Sequence, residues 1–421
     1  MLDTKYQSFY DQITKKIPQK RVFTDKLHTL AYGTDASFYR LIPKIVIKTD
    51  NAKEVQEIIE LSDSMNLSVT FRAAGTSLSG QAISDSILII TSRKFSNFKI
   101  ASDASYISLE PALTGAQVNG LLARYSKKIG PDPASINAAM IGGIAANNAS
   151  GMCCGISQNS YKTLKSMKLI FADGTKLDTA CEESKNEFRK THADFLKDLK
   201  SFSDDTKSNE ELRSKIERKF KIKNTCGYSL NALIDFDDEF EILQHLIIGS
   251  EGTLAFIEEI TYYTVEDLKD KASSLIYFKD MKEACNAVTK LKLASDSKEI
   301  VVDAVELMDR AGLRSIEQDP AMPKFIKDFD DEVTALLIET RAINDKQLDI
   351  QINQIEELLK EFTVVRDIYF TKDVEEYTLY WKIRKGLFPA VGAVRVTGTT
   401  VIIEDVAYPI ECLAEATLEL Q

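Results

Sequence analysis

Apolar positions along the first part of the chain alternate between two rhythms. Residues 44–48 (KIVIK) make a run of strand length. Residues 51–65 then place Val55, Ile58, Ile59 and Ser62 at helical spacing, with Asp50 or Asn51 as the N-cap. Residues 67–71 return to a strand, and 86–93 (SILIITSR) is another, so the first unit reads strand, helix, strand. Residues 181–223 are highly charged and helix-prone, as in NEELRSKIERKFK, which predicts a solvated helical face or insertion. The glycine-marked GSEGTLAFI (249–257) leads into the strand AFIEEITYYTV.

From about residue 272 the order changes. SSLIYF, DMKEACNAVTKLK, EIVVDAVEL, EVTALLIETR, DKQLDIQINQIEELLKEF and TVVRDIYF read β-α-β-β-α-β, the ferredoxin-like arrangement. A helix, DVEEYTLYWKIRKGLF, and a strand, TTVIIEDV, follow. The change of pattern puts a domain boundary near residue 267, giving domains 1–267 and 268–421.

The totals fit this picture. A chain of 421 residues, 44% apolar and 28% charged, is ordinary for a globular protein of two or three domains. A net charge of −11 without a basic tract argues against nucleic acid as a partner. No apolar run reaches the ~18 residues of a transmembrane segment, and the N-terminus lacks the apolar core of a signal peptide. The expected location is cytoplasmic, with peripheral membrane contact left open. The six cysteines form no CxxC pair, which leaves zinc and iron–sulfur sites within these residues unsupported; they read as small buried thiols.

Three small-residue segments carry the candidate chemistry. FRAAGTSLSGQ (71–81) places Gly75 and Gly80 around Thr76, Ser77 and Ser79 just after a strand. Successive backbone N–H groups in such a turn form a nest suited to an anion, and the hydroxyls add donors. No Gly-Lys-Ser/Thr follows, so it is not a Walker loop, and no GxGxxG is present. In GPDPASINAAMIGGIAANNASG (130–151), almost every residue from Ala138 on is Ala, Gly, Asn or Ser. Such a surface lets a large flat ligand approach the main chain. In the third segment Gly249 and Gly252 bracket Glu251.

In this order the segments, with NTCGYSLNAL (224–233), resemble the FAD-linked D-2-hydroxyacid dehydrogenases: D-lactate dehydrogenase, the glycolate oxidase flavin subunit and D-2-hydroxyglutarate dehydrogenase. The resemblance implies a vanillyl-alcohol-oxidase-type FAD-binding fold with a ferredoxin-like cap, an α+β chain that is C-terminally incomplete. It implies that Arg72, Ala74, Gly75, Thr76, Ser77, Leu78, Ser79, Gly80 and Gln81 hold the FAD pyrophosphate. Pro131, Asp132 and Pro133 would lie by the flavin. Gly142, Gly143, Asn147, Ala149, Ser150 and Gly151 would wrap it, and Glu251, Gly252 and Thr253 would complete the site. Positions 74–80 hold no histidine, which favours noncovalent FAD.

Oxidising a 2-hydroxy acid requires a cation for the carboxylate and a base for the hydroxyl proton. Arg384, three residues after Trp381, matches the family's substrate-binding arginine, and a guanidinium fork suits a carboxylate. Phe388 stands where some members have a polar contact. His28, His192 and His245 all lie outside any family-like catalytic context. The family's His-Gly-His and Gly-Asn-x-His metal and base motif is missing, as are the cysteine clusters of an iron–sulfur half. The chain is therefore expected to be the N-terminal portion of a longer protein, passing electrons to an iron–sulfur segment, a quinone or a cytochrome. The alternatives are a flavin-binding fragment without catalysis, a sugar or lactone oxidase of the same fold, and a phosphate-ligand module without flavin.

Overall fold

The computed structural model describes residues 2–151, 155–317, 323–394, 396–399 and 406–420, with backbone alone for helix residues 387–394. Cys153, Cys154, most of the expected strand 399–406 and the side chain of Phe388 fall outside it. The chain divides into two compact units, Met1–Glu266 and Asp267–Gln421.

The first unit opens with α1 (Thr4–Ile13), β1 (Val22–Phe23) and α2 (Lys26–Ala31). Then come β2 (Ile45–Thr49), α3 (Ala52–Ser64), β3 (Val69–Arg72) and β4 (Ile87–Thr91). The four strands form one sheet in the order β1-β2-β4-β3; β2, β4 and β3 run parallel and β1 is antiparallel. Asn51 is the residue that caps α3, its side chain accepting the Glu54 N–H, while Val55, Ile58, Ile59 and Ser62 turn inward. Asp50 instead pairs with Arg21 at 3.2 Å. Phe9 and Ile13 of α1 pack with Ile45, Ile47, Ile58, Ile87 and Ile89. Burial of each such side chain contributes about 1.5–3 kcal/mol.

A second, antiparallel sheet follows, from β5 (Phe98–Ile100), β6 (Tyr106–Leu109), β7 (Lys127–Ile129), β8 (Leu164–Phe171), β9 (Lys176–Asp178) and β10 (Ala255–Glu266). The order is β5-β6-β10-β8-β9, with β7 also on β10. Between strands lie α4 (Gly115–Leu122), α5 (Ile141–Asn147) and α6 (Ser160–Thr163). The charged stretch forms α7 (Glu182–Thr191), α8 (Ala193–Ser208) and α9 (Glu210–Phe220). Each buries only one to three side chains, the solvated helical insertion that its charge implies. Helices α10 (Ala232–Asp235) and α11 (Glu239–Ile247) lead back to β10.

The second unit runs β11 (Asp270–Phe278), α12 (Met281–Asp296), β12 (Ala304–Met308), α13 (Arg310–Ile316), β13 (Thr334–Ala342), α14 (Asp345–Leu359), α15 (Val374–Val394) and α16 (Leu413–Leu420). Its antiparallel sheet has the order β11-β13-β12. Ala272, Ile276, Phe278, Leu336 and Ile338 face α12 and α14 across an apolar core. By the two-residue period of strands, Ser273, Glu339 and Arg341 lie on the other face. There Trp381 of α15 donates its indole N–H to the Ser273 hydroxyl at 3.2 Å, and Ser273 donates to buried Glu339 at 3.1 Å.

Two expected strands differ. The strand expected over 299–307 begins only at Ala304. The strand expected over 363–370 is not regular. It meets β11 only through isolated bridges, Phe278 with Val364 and Ser273 with Thr371, at the edge where a ferredoxin-like fourth strand pairs. Between the bridges Arg366 stacks on the Phe325 ring at 4.0 Å.

Candidate functional site

The first glycine loop leaves the carboxyl end of β3, the edge strand on the parallel side of the first sheet, and carboxyl ends of parallel strands are where open α/β sheets place ligands. Arg72 shapes it from inside. Its Nη1 donates to the carbonyls of Thr34 (2.7 Å), Ala82 (3.3 Å) and Tyr32 (3.4 Å). Burial pulls this guanidinium down from its ordinary value, and Asp35 and Tyr32 oppose the shift. Through Nη1, Arg72 thus ties the loop to the carbonyls of Tyr32, Thr34 and Ala82. Gly75 sits directly over it at φ +73°: an added Cβ would come within 2.5 Å of Nη2. Ser77 also works within the loop, accepting from the backbone N–H groups of Ser79 and Gln81 (both 3.2 Å) and donating to the Gln81 side chain. Leu78 is exposed.

The second and third segments close on the start of this loop. A Cβ built on Gly143 would meet only the Ala73 Cβ, at 3.5 Å, and one on Gly252 (φ +74°) would meet Phe71 at 3.2 Å. Asn147 donates from Nδ2 to Glu251 at 2.7 Å, and the N–H groups of Gly249 and Glu251 donate to the carbonyls of Ala145 (3.1 Å) and Ala146 (2.8 Å). Glu251 adopts φ +54°, and burial raises its carboxyl above the usual range against the lowering effect of Asn147. Thr253 donates to the Ser250 carbonyl (2.6 Å) and shares a hydrogen bond with Tyr228 (3.0 Å). Gly151 backs onto Asp132, whose carbonyl oxygen a Cβ would meet at 1.8 Å, which ties Pro131–Pro133 to the Ala149–Gly151 turn. Loops 72–81, 130–151 and 249–253 thus form one continuous surface. Arg384 belongs to the second unit, where its Nη2 lies 2.7 Å from Glu306 and its Nε is buried without a hydrogen-bond partner among the described residues.

Gly143 tests whether this surface suits a dinucleotide. Neither positive φ nor protein packing demands a glycine there, since the nearest neighbour is at ordinary contact distance. The missing side chain keeps the seam between α5 and the first loop low, as close approach of a flat ligand requires.

Two elements at this site are absent from the sequence-based reading. Residues 33–41 form a small hairpin that walls the first loop: Thr34 bridges Arg40, Ala36 N–H donates to Gly75 O (3.0 Å), and Asp35 accepts from Ala82 N–H (3.3 Å). Its signal is the Asp-Ala-Ser turn, in which Asp35 accepts from Ser37. The other is Asn148, a positive-φ helix cap whose side chain accepts from Tyr161 N–H at 3.2 Å.

Each histidine has partners within the fold. His28 pairs with Asp25 and stacks on Phe23, and His192 stacks on Phe188. His245 is buried against Phe236, its Nδ1–H donating to the Glu241 carbonyl, and burial lowers it from 6.5 to about 4. The unfolded chain takes up this proton near the ordinary value and the fold only near the lowered one. Stability is therefore full above the ordinary value and falls with acidification, by roughly 2 kcal/mol at pH about 5. Urea unfolding at the two ends of that window should show the loss in the wild type and a smaller one in His245→Leu.

Compared with known proteins, residues 43–180 match the model of the FAD binding domain, and residues 268–421 match that of the C-terminal domain of FAD linked oxidases. The chain thus carries an FAD binding domain and the C-terminal domain of FAD linked oxidases. The FAD binding domain makes FAD its cofactor. It is 24% identical over 271 residues to the D-lactate dehydrogenase of Archaeoglobus fulgidus (63% of this chain, 47% of the relative). It is 22% identical over 255 residues to the D-2-hydroxyglutarate dehydrogenase of Haemophilus influenzae (56% and 24%). It is 24% identical over 379 residues to the glycolate oxidase subunit GlcD of Escherichia coli (87% and 63%). The chain thus spans less than two thirds of each. Among solved structures, alkyldihydroxyacetonephosphate synthase aligns with a TM-score of 0.64 at 15% identity, covering 93% of this chain and 65% of that one. p-Cresol methylhydroxylase aligns with 0.63 at 13% (92% and 70%). These likenesses give the fold, the vanillyl-alcohol-oxidase type. Among the described residues no helix is long and apolar enough to cross a membrane.

Proposed function

We propose that this flavoprotein oxidises a small 2-hydroxy acid of the D-lactate, D-2-hydroxyglutarate or glycolate class. FAD would be held noncovalently by residues 1–266, and the acid's carboxylate would be met by Arg384 within residues 268–421. The observation that carries the reading is Arg384 itself. Glu306 engages one end of its fork, and its buried Nε has no hydrogen-bond partner among the described residues, in a chain whose relatives are named for 2-hydroxy acids. A buried donor of this kind calls for an acceptor, and a carboxylate fits a guanidinium edge.

Bound flavin supplies the acceptor for the hydrogen on the carbinol carbon, with its electron pair. The chain's own groups do the holding. The first glycine loop would hold the pyrophosphate, the small residues 142–151 would admit the flat ring, and the Asn147–Glu251 pair locks the second segment to the third. Arg384 orients the acid. The electron acceptor is an iron–sulfur segment or partner protein, a quinone or a cytochrome, and the location is cytoplasmic, either free or peripheral to a membrane.

Anaerobic mixing of the FAD-loaded chain with D-lactate, D-2-hydroxyglutarate or glycolate should bleach the flavin absorption with one of them. Bleaching by none, in a chain that binds FAD, would leave a flavin-binding unit without catalysis. Arg384→Lys keeps the charge and loses the planar fork. It should slow bleaching at low acid concentration by about 10- to 100-fold, the worth of one or two hydrogen bonds to a charged group. An unchanged rate would remove Arg384 from the site.

A further inference from the structure

Helix α15 meets the sheet β11-β13-β12 at three residues about one turn apart. Tyr377, Trp381 and Arg384 stand at i, i+4 and i+7, on one face of the helix. The Lys271 ammonium lies 4.5 Å from the Tyr377 ring centre, Trp381 donates to Ser273 at 3.2 Å, and Arg384 meets Glu306 at 2.7 Å. These partners sit in successive rows of one sheet face. Lys271 is paired with Arg341, Ser273 with Glu339, and Glu306 with Leu337, two residues before Glu339. A helix rises about 5–6 Å in three or four residues and a strand about 6.6 Å in two, so helix and sheet stay in step.

The middle contact has a defined polarity. An indole N–H only donates, so the Ser273 hydroxyl accepts from Trp381 and directs its own proton to Glu339. Both Glu339 oxygens are then engaged, Oε2 by Ser273 at 3.1 Å and Oε1 by Nε and Nη2 of Arg341, each at 2.7 Å. Ser273 is 0% exposed and Glu339 1%. We infer that Ser273 and Glu339 are positioning residues for Arg384. Through Trp381 they fix the rotation of α15 at which Glu306 holds one end of the guanidinium and the Nε edge is left for the acid's carboxylate. This rests on the 2-hydroxy acid reading of Arg384. A buried ion pair adds little to stability over apolar residues of similar volume; what it gives here is a fixed direction. Turning α15 by one residue, about 100°, would carry the indole off Ser273 and Arg384 off Glu306 together.

The test is the flavin-bleaching assay with the acid that reduces the wild type, run over a range of acid concentrations. This separates the half-saturating concentration from the limiting rate. Ser273→Ala removes the relay and leaves Glu339 with Arg341. It should raise the half-saturating concentration about 5- to 20-fold, as loss of one buried hydrogen bond does. The limiting rate should stay within about twofold, and FAD affinity should not change. Trp381→Phe keeps a ring, loses the N–H and should match it; the double variant should be no weaker than either single one. In an Arg384→Lys background, Ser273→Ala should add less than about twofold. Ser274→Ala lies on the opposite face of β11, where the hydroxyl has no hydrogen-bond partner among the described residues, and should behave as the wild type. Trp381 is the chain's one tryptophan, so its emission in Ser273→Ala shows whether the unit is folded, and Trp381→Phe carries the test if it is not. A wild-type half-saturating concentration in the two single variants would overturn the inference. So would an equal loss in the Arg384→Lys background, which marks a role in the fold alone. Bleaching of the wild type by no acid would instead overturn the 2-hydroxy acid reading, and this inference with it.

Discussion

Replacing Gly75 with valine should abolish FAD binding at micromolar concentrations while leaving the chain folded. The residue sits at φ +73°, where a left-handed L-residue costs about 1–2 kcal/mol and a β-branched one more. Its new Cβ would also lie 2.5 Å from the Arg72 guanidinium. That guanidinium cannot simply step aside, because it is the common donor to the Thr34, Ala82 and Tyr32 carbonyls. Either the turn flattens and its amides lose their convergence, or Arg72 moves and the 33–41 hairpin comes away. Both routes cost the cofactor, and about a hundred-fold loss of affinity corresponds to about 2.7 kcal/mol. The sheet beneath rests on the Phe9, Ile47 and Ile58 core and should be unaffected. Apoprotein titration reads the affinity, and far-UV circular dichroism checks the fold.

The second large effect is on stability. Gly151→Ala places a methyl 1.8 Å from the Asp132 carbonyl oxygen and 2.0 Å from its carboxylate. The obstacle is backbone on a segment whose neighbours Pro131 and Pro133 are buried, so the cost cannot be relieved by a rotamer change. A destabilisation on the order of 3 kcal/mol is expected, at the upper end for overpacking. Thermal unfolding should show a clear drop in Tm for Gly151→Ala. Gly120→Ala, where a Cβ meets nothing within 4 Å, serves as the control and should not fall.

Elements defined by local pattern were legible in the chain. Helix α3 is one: its cap and its buried Val55, Ile58, Ile59 and Ser62 lie within one short window. The small-residue segments were visible for the same reason, since their composition is itself the feature. Legibility ended where a residue's role depends on a distant partner. Ser77 looked like a free donor, yet its hydroxyl is engaged by Gln81. Arg72 read as a ligand group, yet it holds Thr34, 38 residues away. The 33–41 hairpin has no long period and takes its importance from Ala82 and Gly75. Segment 363–370 has strand-like residues, but it meets β11 only at Phe278 and Ser273, partners about 90 residues away that no local window contains. Glu306, the partner of Arg384, lies on another element and could not be paired with it by spacing.

The central claim is that three remote stretches build one cofactor surface. Hydrogen–deuterium exchange of the chain with and without FAD tests this most directly. The account predicts that added FAD slows exchange together in residues 72–81, 142–151 and 249–253. Protection confined to one of these stretches, or falling elsewhere in the chain while all three exchange as before, would contradict it.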